Sequence, residues 1–161
     1  MKCASILKEK IYLCSKIYER MTHKESLPQG VERLQVALNV DERGCLSFLE
    51  GSRDIPFEVK RVFWITDVPA GQTRGGHAHW TCHEVVFPVT GSFEIEVDDG
   101  VCCRTLRMDR SNEGVLIPAG VWCELRNFAP GTVCVVVASQ EYDASGYAHV
   151  RDEWRLRRLK H

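Results

Sequence analysis

Residues 71–91 read GQTRGGHAHWTCHEVVFPVTG. Two histidines, His77 and His79, stand two apart in this stretch. Side chains alternate across a β-strand, so an extended chain sends both imidazoles to one face. Two imidazoles on one face can share a metal ion, or serve a substrate as acid and base. The plainer alternative is a pair of surface histidines at a strand edge. The glycines around them, Gly71, Gly75 and Gly76, mark a loop leading into the strand, which resumes at Glu84 and ends at the turn Thr90-Gly91.

Outward from this stretch the apolar period is two. Val36, Leu38 and Val40 alternate with Ala37 and Asn39, Asp41 to Gly44 makes a turn, and Leu46 to Leu49 returns. Residues 59–65 form another strand. Phe93, Ile95 and Val97 alternate with acidic residues before Asp99-Gly100, a hairpin signal. Residues 115–117 run into Pro118-Ala119-Gly120. Residues 133–138 are apolar throughout, as expected of a strand covered on both faces or placed at an interface. Short strands with turns every eight to twelve residues predict an all-β sandwich or barrel. Two helices flank it. Residues 4–22 carry an apolar stripe from Ile6 to Met21, suited to docking on the domain or on a partner subunit. Residues 153–159 form a short helix whose arginines are expected to face solvent. The segment 23–30 reads as a linker, dividing the chain into an extension, 1–30, and one domain, 31–161.

The chain has 161 residues, 21 Lys and Arg against 22 Asp and Glu, and 44% apolar residues. That is the make-up of a single globular domain with a sizeable core. A net charge of −1 offers no field for a nucleic acid polymer or an anionic membrane. No apolar run is long enough to span a bilayer, and Lys8, Glu9, Lys10 and Lys16 interrupt any secretory pattern, so a cytoplasmic location is expected. The eight cysteines contain no CxxC pair and are expected mostly as reduced, packed thiols. No P-loop or dinucleotide fingerprint is present.

Gly71, His77, His79, Glu84 and Gly91 match the first motif of the cupin family in spacing, and Pro118, Gly120, Cys123 and Asn127 match the second. The resemblance implies a cupin double-stranded β-helix, a small jelly-roll barrel with these residues in its mouth. RVFWITDVPAGQTRGGHAH, VTGSFEIEVDDG, IPAGVWCELRNF and VVVASQEYDASGY narrow it further. From about Leu34 to Trp154 the chain resembles the sugar 3,4-ketoisomerases that act on dTDP-4-keto-6-deoxyglucose, and the WxcM-like domains. The resemblance implies a metal-free, cofactor-free isomerase that moves a ketone between C4 and C3 of a dTDP-linked 4-keto-6-deoxyhexose. His77 and His79 are its catalytic candidates. Arg74, Glu84 and Trp122 are its substrate-binding candidates, Arg74 through negative charge and Trp122 through stacking. Tyr142 and Tyr147 are expected to pack in the core or a dimer interface.

Three positions depart from the family pattern. Phe63-Trp64 stands where a tyrosine is common, Glu84 where a glutamine is usual, and Cys123 where a histidine is usual. They leave two alternatives: a metal-dependent cupin using His77, His79, Glu84 and Cys123, and a non-catalytic nucleotide-sugar-binding domain. The apolar strand 133–137 and the helix 4–22 favour a homodimer.

Overall fold

The computed structural model describes residues 26–158 and 160. The expected helix 4–22 lies outside the described residues. In chain order the strands are β1 (Glu32–Gln35), β2 (Leu38–Asp41), β3 (Gly44–Ser47), β4 (Arg61–Ile65), β5 (Arg74–His79) and β6 (Glu84–Thr90). They continue as β7 (Phe93–Asp98), β8 (Cys103–Met108), β9 (Glu113–Ile117), β10 (Trp122–Arg126), β11 (Val133–Ala138) and β12 (Tyr147–Ala148). One helix, α1 (Arg151–Arg158), follows β12.

The strands make two five-stranded antiparallel sheets, ordered β1-β9-β6-β11-β4 and β12-β5-β10-β7-β8, plus the hairpin β2-β3. Period-two patterning puts one face of each strand between the sheets. Val86, Val115, Ile117, Cys134 and Val136 of the first sheet meet Phe93, Ile95, Val97, Leu106, Cys123 and Leu125 of the second there. The fold is thus a mostly β, cupin-like sandwich with one short helix.

The apolar run of β11 has a two-sided explanation. Val136 faces the inter-sheet core, while Val137 faces the outside of the first sheet. There Val137 packs with Val36, Ile55, Val85, Phe87 and Leu116, flanked by Leu49, Phe57 and Val59.

Two expectations need correction. The segment 23–30 is not all linker: Leu27 packs on the core, and the Gln29 amide donates to the Asp99 carboxylate at 2.5 Å. The arginines of α1 do not simply face solvent. Arg151 and Arg155 each reach the Asp98 carboxylate at 2.7 Å, although Asp98 is only 1% exposed. Arg157 lies 4.2 Å over the Trp80 ring. Burial pushes the Asp98 carboxyl up, but hydrogen bonds from Arg151, the Gly100 amide and Arg155 outweigh it and hold it below the usual range. Trp154, buried at the centre of α1, donates from its indole nitrogen to the Gly120 carbonyl at 2.9 Å. A basic helix is read as solvated when its acidic partners lie far away in sequence, as Asp98 does here.

Candidate functional site

The site is built on β5, and β5 is bulged. Cys123 pairs with His77, but the next residue, Glu124, pairs with Gly75, so Gly76 is left over. Gly75 and Gly76 both have positive φ, +80° and +68°, a region that side-chain-bearing residues seldom adopt. A Cβ on Gly75 would also lie 2.9 Å from the Cys123 carbonyl oxygen. The expected loop 71–76 therefore becomes strand from Arg74 onward, and the bulge aims the strand from His77 to His79.

His77 and His79 do share a face, with ring centroids 5.0 Å apart at 86°. His79 is buried and His77 half-buried. Burial lowers the His77 pKa below its ordinary value, and the neighbouring His79 adds to this; Glu84 opposes it, as does a hydrogen bond from the ring to the Gly75 backbone. His77 is therefore a neutral imidazole near pH 7, the form that can accept a proton.

Glu84 begins β6 and is 5% exposed. One carboxylate oxygen, Oε1, lies 3.2 Å from Arg61 of β4 and 3.2 Å from His79 Nε2. The His79 contact lacks hydrogen-bond alignment, so His79 Nε2 is buried without a hydrogen-bond partner, as is Arg61 Nε. Donor atoms of His77, His79 and Glu84 all lie within 4.8 Å of one another, close enough to ligate one ion. Two features weigh against that use. The Arg61 guanidinium already neutralises Glu84. Cys123 stands outside the donor group, and burial pushes its thiol pKa well up, away from the thiolate a metal needs. Cys134 is likewise pushed up, to about 12, chiefly by burial.

The other candidates separate. Arg74 opens β5 at the exposed end, and its side chain forms no ion pair among the described residues. Trp122 is not brought to the histidines. It pairs with Ala78, and alternation turns both away from the face that carries His77 and Cys123. Its ring instead packs 5.6 Å from Trp154, with Arg151 5.8 Å above it. His83 is likewise held elsewhere, stacking on Phe57 at 6.3 Å and accepting from the Ala119 amide at 3.3 Å.

Residues outside the sequence-based set also enter. Tyr147 of β12 pairs directly with His79, and their rings are 4.2 Å apart. It is 4.9 Å from the His77 ring and stacks on His149 at 5.4 Å. Arg61 sits between the rings of Phe63, 5.2 Å away, and Tyr142, 5.8 Å away. The cleft beside His79, lined by Arg61, Gln140, Glu141, Asp143 and Tyr147, holds about 10 Å³, room for one water. A larger groove of about 480 Å³ lies on the outer face of the first sheet, among Leu46, Phe48, Phe87, Val89, Val135 and Val137. It is apolar and carries no acid–base pair, so the chemistry belongs to the histidine face.

The bulged RGGHAH strand with its paired imidazoles agrees with a sequence match over residues 29–158 to the FdtA family, described as WxcM-like, C-terminal. The chain belongs to this WxcM-like family. It is 33% identical over 116 residues to the TDP-4-oxo-6-deoxy-alpha-D-glucose-3,4-oxoisomerase of Aneurinibacillus thermoaerophilus, covering 72% of this chain and 84% of that protein. The structure superposes on QdtA, a sugar 3,4-ketoisomerase from Thermoanaerobacterium thermosaccharolyticum in complex with TDP. The TM-score is 0.81 and the identity 31%, over 83% of this chain and 98% of that one. A 3,4-ketoisomerase from Helicobacter canadensis gives 0.79 and 33%, over 82% and 99%. The WxcM-like match thus covers every strand of both five-stranded sheets and helix α1.

Proposed function

We propose that the protein is a sugar-nucleotide 3,4-ketoisomerase with a cupin double-stranded β-helix, acting on a dTDP-linked 4-keto-6-deoxyhexose. Its named relatives are isomerases of this kind. The observation that carries the mechanism is the pair of imidazoles, His77 and His79, with ring centroids 5.0 Å apart.

The reaction converts a C3 carbinol beside a C4 ketone into a C3 ketone beside a C4 carbinol. The carbon-bound proton moves from C3 to C4, and the hydroxyl proton moves from O3 to O4. His77, neutral and half-buried, takes the C3 proton; the C–H electron pair forms the C3=C4 bond and charge develops on the C4 oxygen. Reprotonation of the enediol at C4 then leaves C3 as the ketone. His79, 5.0 Å from His77, serves the second transfer, with the Glu84–Arg61 pair fixing its surroundings. Arg74 meets the diphosphate in this reading, which its exposure at the head of β5 supports.

The test is conversion of dTDP-4-keto-6-deoxyglucose, monitored by proton NMR. His77→Asn and His79→Asn should each lower kcat by about a hundredfold or more while dTDP binding persists. Near wild-type turnover in both variants refutes the assignment. The same proposal includes a cytoplasmic homodimer joined through the outer face of the first sheet. Val62 and Trp64 are exposed there, Trp64 by 68%, beside the apolar groove. A monomer by light scattering at micromolar concentration counts against the dimer.

A further inference from the structure

We infer that Tyr147 is a catalytic residue of this site, its phenol donating a hydrogen bond to the oxygen on which charge develops during proton transfer. The inference rests on the isomerase reading and adds a third group to the two histidines.

Three observations place the phenol. Tyr147 is the register partner of His79 across β12 and β5, so both side chains leave the same face. Its ring lies 4.2 Å from His79 and 4.9 Å from His77, which puts it against both imidazoles rather than against one. The turn before it is fixed: Asp143 accepts from the Ser145 amide at 2.9 Å, and the Gly146 carbonyl accepts from the Trp80 amide at 2.9 Å.

The neighbouring cation then assigns a direction. Arg61 and Tyr147 line the same cleft beside His79, and the Arg61 charge acts on the Tyr147 hydroxyl. A guanidinium has no acceptor, so the phenol cannot donate to it, and the phenol hydrogen remains free to be given elsewhere. Burial raises the phenol pKa, and nearby Arg61 only partly offsets this, so the group stays protonated around neutrality. A neutral O–H polarised from behind by a fixed cation is suited to stabilising an oxyanion without losing its proton. When His77 takes the C3 proton, the electron pair moves into C3=C4 and the carbonyl pair moves onto O4. Tyr147 donates to O4, and no covalent bond to the enzyme forms.

Tyr147→Phe keeps the ring against both imidazoles and removes only the hydroxyl. It should lower kcat by about a hundredfold, the scale for one oxyanion donor. KM for dTDP-4-keto-6-deoxyglucose and the thermal shift produced by dTDP should stay near wild type. Exchange of the C3 proton with deuterium oxide, read by NMR, should slow in parallel. A kcat within about threefold of wild type overturns the inference, as does unchanged C3 exchange. Loss of the dTDP shift together with the rate also overturns it, because the hydroxyl would then hold the fold or the nucleotide. A wild-type protein with no turnover instead defeats the isomerase reading itself.

Discussion

Gly75→Ala tests whether the bulge in β5 aims His77. Gly75 has φ +80°, and a methyl there would sit 2.9 Å from the Cys123 carbonyl oxygen, a backbone atom that cannot swing aside. The left-handed conformation alone costs an alanine about 1–2 kcal/mol. Relieving the contact by moving β5 from β10 adds about 1–2 kcal/mol, the low end of overpacking costs. The sum, about 2–4 kcal/mol, lowers the melting temperature of a domain this size by about 4–16 °C. Gly71 supplies the control: its φ is +77°, but nothing lies within 4 Å of an added Cβ. Gly71→Ala should therefore show only the conformational part, about 1–2 kcal/mol. Turnover should separate the two further. A shift of about 1 Å at a catalytic group costs about a hundredfold, so Gly75→Ala should lose far more rate than Gly71→Ala. Equal melting temperatures for the two variants would refute the close packing of the bulge. Equal turnover would show that His77 does not depend on it.

Single contacts carry the other expectations. The His77 pKa is below its ordinary value, so its neutral form persists to lower pH than in the unfolded chain. Stability gained from this is present above about pH 6.5 and is lost as pH falls below it towards the folded pKa. The acid limb of kcat should accordingly lie below pH 6.5, and pH-dependent urea melts of His77→Asn should lack that share of the acid slope. Cys123→Ser should change turnover only mildly, and chelators should leave it intact; one equivalent of iron, zinc or nickel lost with this change would establish the metal reading instead. Asp98→Ala should cost about 2–3 kcal/mol in urea unfolding, less than a fully buried ion pair, because its arginine partners are 36% and 45% exposed and can regain water.

The parts of this molecule that could be read from sequence are those whose signal is local. The alternation in residues 93–97 became β7, and the spacing of His77 and His79 put two imidazoles on one face. The same alternation could have placed Trp122 correctly: if Cys123 looks inward beside His77, its neighbour must look outward. Arg61 and Tyr147 carry no local signal. Arg61 is 23 residues before Glu84, and Tyr147 meets His79 through a two-residue strand that comes after a short turn. Only the pairing of distant strands reveals them. Two neighbouring glycines of positive φ look like a loop in sequence, whereas β10 accommodates them as a bulge.

The convergence of Arg151 and Arg155 on Asp98 sets a schedule for synthesis. The carboxylate leaves the ribosome 53 and 57 residues before its two partners. At about 5–20 residues per second the delay is roughly 3–11 s. During that interval Asp98 can be sealed inside the sandwich only as an uncompensated charge, so the second sheet should stay open or protonated at that corner. β5 also waits, because its edge partner β12 emerges late. Closure of the histidine-bearing sheet therefore comes after most of the sandwich has been made, and a nascent chain stalled before Arg151 should remain a client for chaperones and proteases.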